Sequence, residues 1–351
     1  MIRRHPVSAF LSGLMALGAV YFLLAHKATA LVNELWFDHV ECRMVEDRAQ
    51  LKPLGGRRLF GLYRPELPWE YSRYYTVTDS LQIDPQIVSW YQSWGDGKEQ
   101  EFKTEAVEKI LEKGMTPMIT WEPWTTSFAG HENDTGASLG HIVAGEFDPY
   151  LRRWARSVAR VHKPVFLRPF HEMGNAWYLW GIPHGNTPEM LAEGWRHVVR
   201  IFREEGARNA AFVWTPHIAA DTMAWPGDEW VDWVGLDVFN YGTMAVKGTW
   251  MDFNGLLTPQ LNAVRRFRKP VMLAELGTSA AGGDRRDWWI DAFRRLPEHP
   301  DVRAVVIFDN PACSNTTGIP VDWGFSQTPG ILAALRPLGA GAGFQLPSAS
   351  P

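Results

Sequence analysis

Carboxylates supply the chemistry open to this chain. Glu122 follows Trp121, Glu172 follows His171, Asp237 precedes Tyr241 by four positions, and Glu275 and Asp309 stand further on, each at or near the end of a short run rich in β-branched and aromatic residues. One such carboxylate is ordinarily a solvated structural group, but several brought to one rim form a reactive surface. Two of them can divide the work, one held protonated as the acid and its partner ionised as base or nucleophile, if their surroundings separate their pKa values. Other chemistries lack their residues. No H-x-H follows a strand-like run and no HExxH occurs, so a catalytic metal is not expected, and no G-x-G-x-x-G follows such a run to cradle a dinucleotide. No cofactor is expected.

These carboxylates need a frame that collects strand ends. Eight short apolar runs alternate with longer segments of helical period: RLFGLY from Arg58, QIVSWYQSW from Gln86, PMITWEPW from Pro117, PVFLRPFHE from Pro164, AAFVWTP from Ala210, WVGLDVFNY from Trp233, PVMLAELG from Pro270 and AVVIFDN from Ala304. Parallel strands joined by crossover helices produce that alternation. Asp148-Pro149, Thr187-Pro188 and Thr258-Pro259 each place a capping side chain before a proline at the first helical position, and Gly114 and Gly206 follow helical runs as C-terminal caps. The pattern predicts an α/β protein built as a (β/α)8 barrel, in which all βα loops open on the face where the strands end. A doubly wound open sheet would carry fewer strands and a glycine-rich phosphate loop after the first. The weakest unit lies between the fifth and sixth runs, where Pro226 and Gly227 break the only candidate helix.

The chain has 351 residues, 46% of them hydrophobic, which suffices for one sizeable core. Its net charge of −4, without long runs, lacks the concentrated basic face that nucleic acid requires. Eighteen Trp can fill a core or serve as flat platforms for apolar faces of a ligand. Cys42 and Cys313 make no disulfide framework. Near the N-terminus Arg3, Arg4 and His5 precede an uncharged apolar run from Val7 to Ala25, followed by Ala28-Thr29-Ala30, the layout of an export signal. The run approaches the roughly 20 residues that span a bilayer, against about 7–15 in the core of a cleaved signal. The expected organisation is a signal peptide or anchor helix over 1–30, a stalk or N-terminal extension over 31–56, the barrel over 57–338 and a flexible tail over 339–351. Such a protein is exported, either anchored in the membrane and facing the extracytoplasmic side or, after cleavage, secreted or periplasmic.

From Arg168 to Gly181 the sequence reads RPFHEMGNAWYLWG, which resembles the acid/base signature of glycoside hydrolase family 26. The resemblance extends to Glu275 in LAELG, to WEPW after the third run and to Tyr241 after the sixth, so it covers nearly the whole barrel. It implies a retaining endo-β-glycanase that hydrolyses β-mannan or mixed-linkage β-glucan by double displacement, with Glu172 as the acid/base and Glu275 as the nucleophile. In retaining enzymes those carboxyl groups stand about 5–5.5 Å apart. Arg168, His171 and the Tyr241 hydroxyl are expected as donors around the nucleophile. Trp177 and the nearby aromatic wall are expected to desolvate Glu172 and raise its pKa. Trp177 and Trp180 could stack on sugar or pack a loop. Glu122, Trp121 and Trp90 could contact sugar or anchor strand ends. Asp237, inside an apolar strand, is expected to pair with a buried Arg, since an unpaired carboxylate there would be costly.

The chain departs from the wider clan where the eighth strand often supplies a Trp floor: Ile307 and Phe308 stand there instead. The Gly174-Asn175 order also differs from the Asn-Gly expected in the motif, which bears on the loop carrying Trp177. A reading from another class is a non-catalytic glycan-binding or polysaccharide-assembly protein on the same barrel. A binding module has no use for two opposed carboxylates.

Overall fold

The computed structural model describes residues 40–45, 48–53, 56–134, 138–245, 247–314 and 320–347. The expected signal or anchor over 1–30 lies outside them. Among the described residues no helix is long and apolar enough to cross a membrane. Val40–Val45 and Arg48–Pro53 form an antiparallel hairpin ahead of the barrel, in the segment read as a stalk or extension.

Eight strands follow: β1 (Leu59–Tyr63), β2 (Ile87–Ser93), β3 (Thr116–Glu122), β4 (Val165–Pro169), β5 (Ala210–Trp214), β6 (Trp233–Asn240), β7 (Val271–Thr278) and β8 (Val302–Phe308). They pair in parallel in chain order, and β8 closes the barrel by pairing in parallel with β1, Ala304 opposite Leu59. All eight runs read from the sequence are barrel strands. Alternation sorts their side chains: Leu59, Ile87, Met118, Phe166, Val213, Trp233 and Met272 fill the interior, while neighbours such as Phe60, Val88, Ile119 and Leu167 pack outward under the helices.

β7 breaks this alternation. Against β6 its register passes from Leu236 opposite Leu273 to Asp237 opposite Glu275, and against β8 from Val305 opposite Leu273 to Ile307 opposite Leu276. One extra residue is inserted, a β-bulge. Ala274 joins the interior cluster and Leu276 returns to the outer one, so the bulge leaves Glu275 facing the barrel axis instead of the helices.

The outer layer comprises α1 (Ser72–Leu81), α2 (Thr104–Glu112), the short α3 (Ser138–Val143), α4 (Asp148–Val161), α5 (Pro188–Glu204), α6 (Phe253–Val264), α7 (Arg285–Arg295) and α8 (Ile331–Leu335). In α4 the buried Leu151, Trp154, Ala155 and Val158 recur at helical spacing and make its inward face. Thr187 caps α5 as expected, its hydroxyl accepting from the Met190 N–H at 3.2 Å. Asp148 falls inside the first turn of α4, where it bonds His197 instead of capping. Asp252 caps α6, and Pro259 sits within that helix, so Thr258-Pro259 is not its start. After β5 no α-helix forms: Pro226 and Gly227 separate two short 3₁₀ turns, Ala219–Ala224 and Asp228–Trp230.

The expectation of a flexible tail from Gly339 fails at its beginning. Phe344 is buried, and the Arg58 backbone and side chain bond the carbonyls of Gly343 and Ala342 at 2.7 and 2.8 Å. At Gly343 a Cβ would lie 2.5 Å from Arg58 Nη1, so the close backbone approach there needs glycine.

Candidate active site

Above the strand ends an open cleft of about 190 Å³ is lined by Glu172, Glu275, Trp177, Tyr241 and further aromatic side chains, Tyr63, Tyr91 and Phe239 among them.

Glu275, aimed inward by the bulge, accepts hydrogen bonds on one carboxyl oxygen from the Tyr91 hydroxyl and from the Arg168 guanidinium. Arg168, fully buried on β4, also donates to both oxygens of Asp237, at 2.8 and 3.3 Å. The expected Asp237–Arg pair is therefore present. Burial pushes the Glu275 carboxyl up, against the pull of Arg168, and the charge of Glu172 adds to the rise. Burial likewise pushes Asp237 well up. One guanidinium thus serves two buried carboxylates, and their titration belongs to the cluster.

Glu172 is presented by a different device. Past the end of β4, Phe170 and Glu172 both adopt positive φ, at 51° and 50°, and the Glu172 N–H bonds the Thr215 carbonyl just past β5 at 3.0 Å. Left-handed backbone at two non-glycine residues costs roughly 1–3 kcal/mol each. It turns the Glu172 side chain into the cleft. There Asn175 Nδ2 donates to one carboxyl oxygen at 2.8 Å, and His217 Nδ1 stands 3.4 Å from the other. Burial alone would raise the Glu172 pKa, but the His217 contact and the Asn175 amide hold it below the usual carboxylate range. The expectation that Trp177 would raise it is corrected by these two partners. His217 is raised in turn: burial opposes its charge and Glu172 outweighs that opposition.

The Gly174-Asn175 pair has a packing reason. A Cβ at Gly174 would lie 2.4 Å from both carboxyl oxygens of Asp221, whose Oδ2 accepts from the His217 and Ile218 N–H groups at 2.8 and 2.9 Å. Gly174 lets the loop of β5 approach, and that loop delivers His217. Trp177, 55% exposed, remains on the cleft rim.

Several expected contacts are placed elsewhere. Trp121 and Trp90 occupy outward positions of β3 and β2, Trp121 against Trp154 and Trp90 in the core under the helices, so neither ring has a face for a ligand. Each lies one residue from an inward position, held on β2 by Tyr91. Trp180 is fully buried, donates to the His171 carbonyl at 2.8 Å and stacks beneath Tyr178. His171 bonds the Tyr178 hydroxyl at 2.9 Å and not Glu275, and burial keeps its ring neutral. Glu122 accepts from Trp124 Nε1 at 3.2 Å, its carbonyl holds the Trp94 N–H, and burial pushes its pKa up to about 7: it anchors the strand end. Asp309 is buried in an ion pair with Arg64. Trp121→Ala is expected to cost about 3–5 kcal/mol of folding free energy in urea denaturation, the scale for emptying an indole site in a core. Unchanged stability would return that ring to the cleft.

The sequence reading missed Tyr91, Asn175 and His217, which hold the two carboxylates, and Trp323, which comes from the chain beyond β8 and backs Phe239 and Tyr241 at ring distances of 4.7 and 4.8 Å. An indole does reach the cleft wall, but not from the eighth strand.

Residues 121–282 match the family described as Glycosyl hydrolase family 26, a span holding both Glu172 and Glu275. Over 277 residues the chain is 29% identical to Endoglucanase H of Acetivibrio thermocellus, covering 75% of this chain and 28% of that protein. Over 136 residues it is 27% identical to a mannan endo-1,4-beta-mannosidase of Bifidobacterium adolescentis, covering 33% of this chain and 14% of that one. The chain thus spans less than a third of the length of either relative. Among solved structures, a GH26 beta-mannanase from Bacteroides ovatus superimposes with a TM-score of 0.57 at 18% identity, over 83% of this chain and 91% of that one, a likeness of fold.

Proposed function

We propose that this chain, whose residues 121–282 match glycosyl hydrolase family 26, is a retaining endo-β-glycanase that cleaves β-mannan or mixed-linkage β-glucan by double displacement, with Glu172 as acid/base and Glu275 as nucleophile. One observation carries the reading: both carboxylates line one cleft, each held by a group from another strand or its loop, Arg168 for Glu275 and His217 for Glu172.

In the first step the Glu275 oxygen not engaged by Arg168 and Tyr91 attacks the anomeric carbon. The glycosidic bond breaks, and the leaving oxygen takes a proton from Glu172. In the second step Glu172 removes a proton from water, whose oxygen attacks the same carbon and releases Glu275 as a carboxylate. Burial leaves Glu275 poorly solvated and hence reactive, while Arg168 and Tyr91 keep its charge in place.

The acid proton belongs to the Glu172–His217 pair. An imidazolium beside a carboxylate carries the same charge as an imidazole beside a carboxylic acid, and a glycan that displaces water from the cleft favours the uncharged arrangement. Esterification of Glu275 then removes a negative charge that opposed ionisation of Glu172, which favours its base form.

The groups bearing on Glu172 are Arg168, Glu275, Asp237, Asn175, His217 and the hydroxyls of Tyr178 and Tyr241. Of these His217 does most to lower its pKa. With His217→Ala the shared proton has only the Glu172 carboxylate to sit on, so the alkaline limb of kcat/KM, which in the wild type reports loss of the pair's last proton from an imidazole whose pKa is raised, is expected to move to lower pH. A limb that stays in place or moves up removes His217 from that role.

The direct test is to incubate the full chain with mannan, mixed-linkage glucan and xylan, identify the released oligosaccharides, and follow anomeric configuration by NMR. Release from mannan or mixed-linkage glucan with retention is expected; binding without release, or inversion, would overturn the proposal. Action on a polysaccharide fits export in anchored or cleaved form, which the Arg3–Ala30 pattern supports and which N-terminal sequencing of the exported protein tests.

A further inference from the structure

The loop between β3 and α4 holds a second group of titratable side chains, none of them lining the cleft. Two tight turns build it. The Asp134 N–H bonds the His131 carbonyl at 2.9 Å, which sets Asp134 beside His131, and the Glu146 N–H bonds the His141 carbonyl at 3.1 Å at the end of α3, which sets Glu146 beside His141. The two imidazoles then meet edge to face, 5.2 Å between centroids, and the His131 ring rests on Phe147 at 4.9 Å.

Donor atoms of His131, Asp134 and His141 all lie within 4.8 Å of one another. His131 Nδ1 is 3.1 Å from one Asp134 oxygen, and His141 Nε2 is 3.9 Å from the other. A tetrahedral zinc with nitrogen ligands at about 2.0–2.1 Å separates its ligands by about 3.3 Å, so small side-chain adjustments close the set. The far nitrogens face one carboxylate: Glu146 is 2.7 Å from His141 Nδ1 and 3.6 Å from His131 Nε2. A carboxylate behind each ligating imidazole fixes its tautomer and raises its basicity, the usual outer-shell arrangement of a histidine zinc site.

The geometry points to a zinc site formed by His131 Nδ1, the Asp134 carboxylate and His141 Nε2, with water to complete the tetrahedron, oriented by Glu146, that ties the His131–Asp134 turn to α3. Two imidazoles with one carboxylate select zinc or a neighbouring transition metal over calcium and magnesium, which take oxygen ligands. No sequence motif announces it, because the two histidines are ten positions apart and fall in different local elements.

The chelator-treated full chain is titrated with zinc chloride by calorimetry and, separately, with calcium chloride, and its thermal midpoint is followed with zinc or EDTA. One zinc per chain, no calcium heat, and a midpoint raised by zinc and lowered by EDTA are expected. His131→Ala and His141→Gln should each weaken zinc binding by about 100-fold or more and abolish the midpoint response, and Glu146→Gln should weaken it by about 10–100-fold. His141 and Glu146 are partly exposed, so these variants are expected to fold. Failure of the wild-type chain to bind zinc stoichiometrically, or zinc binding unchanged in His131→Ala and His141→Gln, overturns the site and leaves two ordinary histidine–carboxylate pairs.

Discussion

Glu275→Ala is expected to lower kcat on every glycoside by about 10⁵-fold or more, because the covalent intermediate cannot form and the remaining groups act only as a unit with it. Activated aryl glycosides should not rescue the variant, since leaving-group ability does not replace an attacking oxygen. The fold should survive. Removing a buried carboxylate that accepts from Arg168 and Tyr91 leaves Asp237 to balance the guanidinium. Wild-type rates in a folded Glu275→Ala protein would remove the nucleophile assignment.

The second large effect is selective. Glu172→Ala should cut kcat/KM on polysaccharide by about 10²–10⁴-fold, the usual worth of a general acid, yet spare the first step for aryl glycosides whose leaving groups need little protonation. Deglycosylation still lacks its base, so stopped-flow traces on such substrates should show a burst followed by slow turnover. Equal loss on good and poor leaving groups, without a burst, contradicts the acid/base role. The two variants together separate the roles: one carboxylate is indispensable to every substrate, the other only where a proton must move.

The barrel was legible because its strands are buried on both faces and stand out as apolar runs between helical segments, with Thr187-Pro188 and the glycines at 114 and 206 punctuating the helices. The site was legible where a residue type carried its own message, as with Glu172, Glu275, Arg168 and the Asp237 pair. It was not legible where phase decided. Trp90 and Trp121 drew the eye as aromatic residues, but a period of two turns them outward and gives the inward place on β2 to Tyr91. The bulge at Ala274–Glu275 is also silent in a single sequence: strict alternation from Met272 would have sent Glu275 outward. His217 and Trp323 come from irregular chain after β5 and β8, where no periodicity can say which side chains converge. The resting pKa directions of the two glutamates were hidden for the same reason, since Asn175 and His217 set one and burial beside Arg168 the other.

The forked contact of Arg168 with Asp237 and Glu275 has a further consequence for the proposed two-step reaction. While a sugar is esterified to Glu275, that side chain is neutral and offers the guanidinium no counter-ion. The Glu275 charge that helped push Asp237 up is then gone, which favours the Asp237 carboxylate, and on the other arm of the fork it would keep the cation compensated while the ester lasts. The interior of the barrel therefore never has to strand an isolated positive charge in a low-dielectric space, and the same arginine can receive the carboxylate again as soon as water cuts it free.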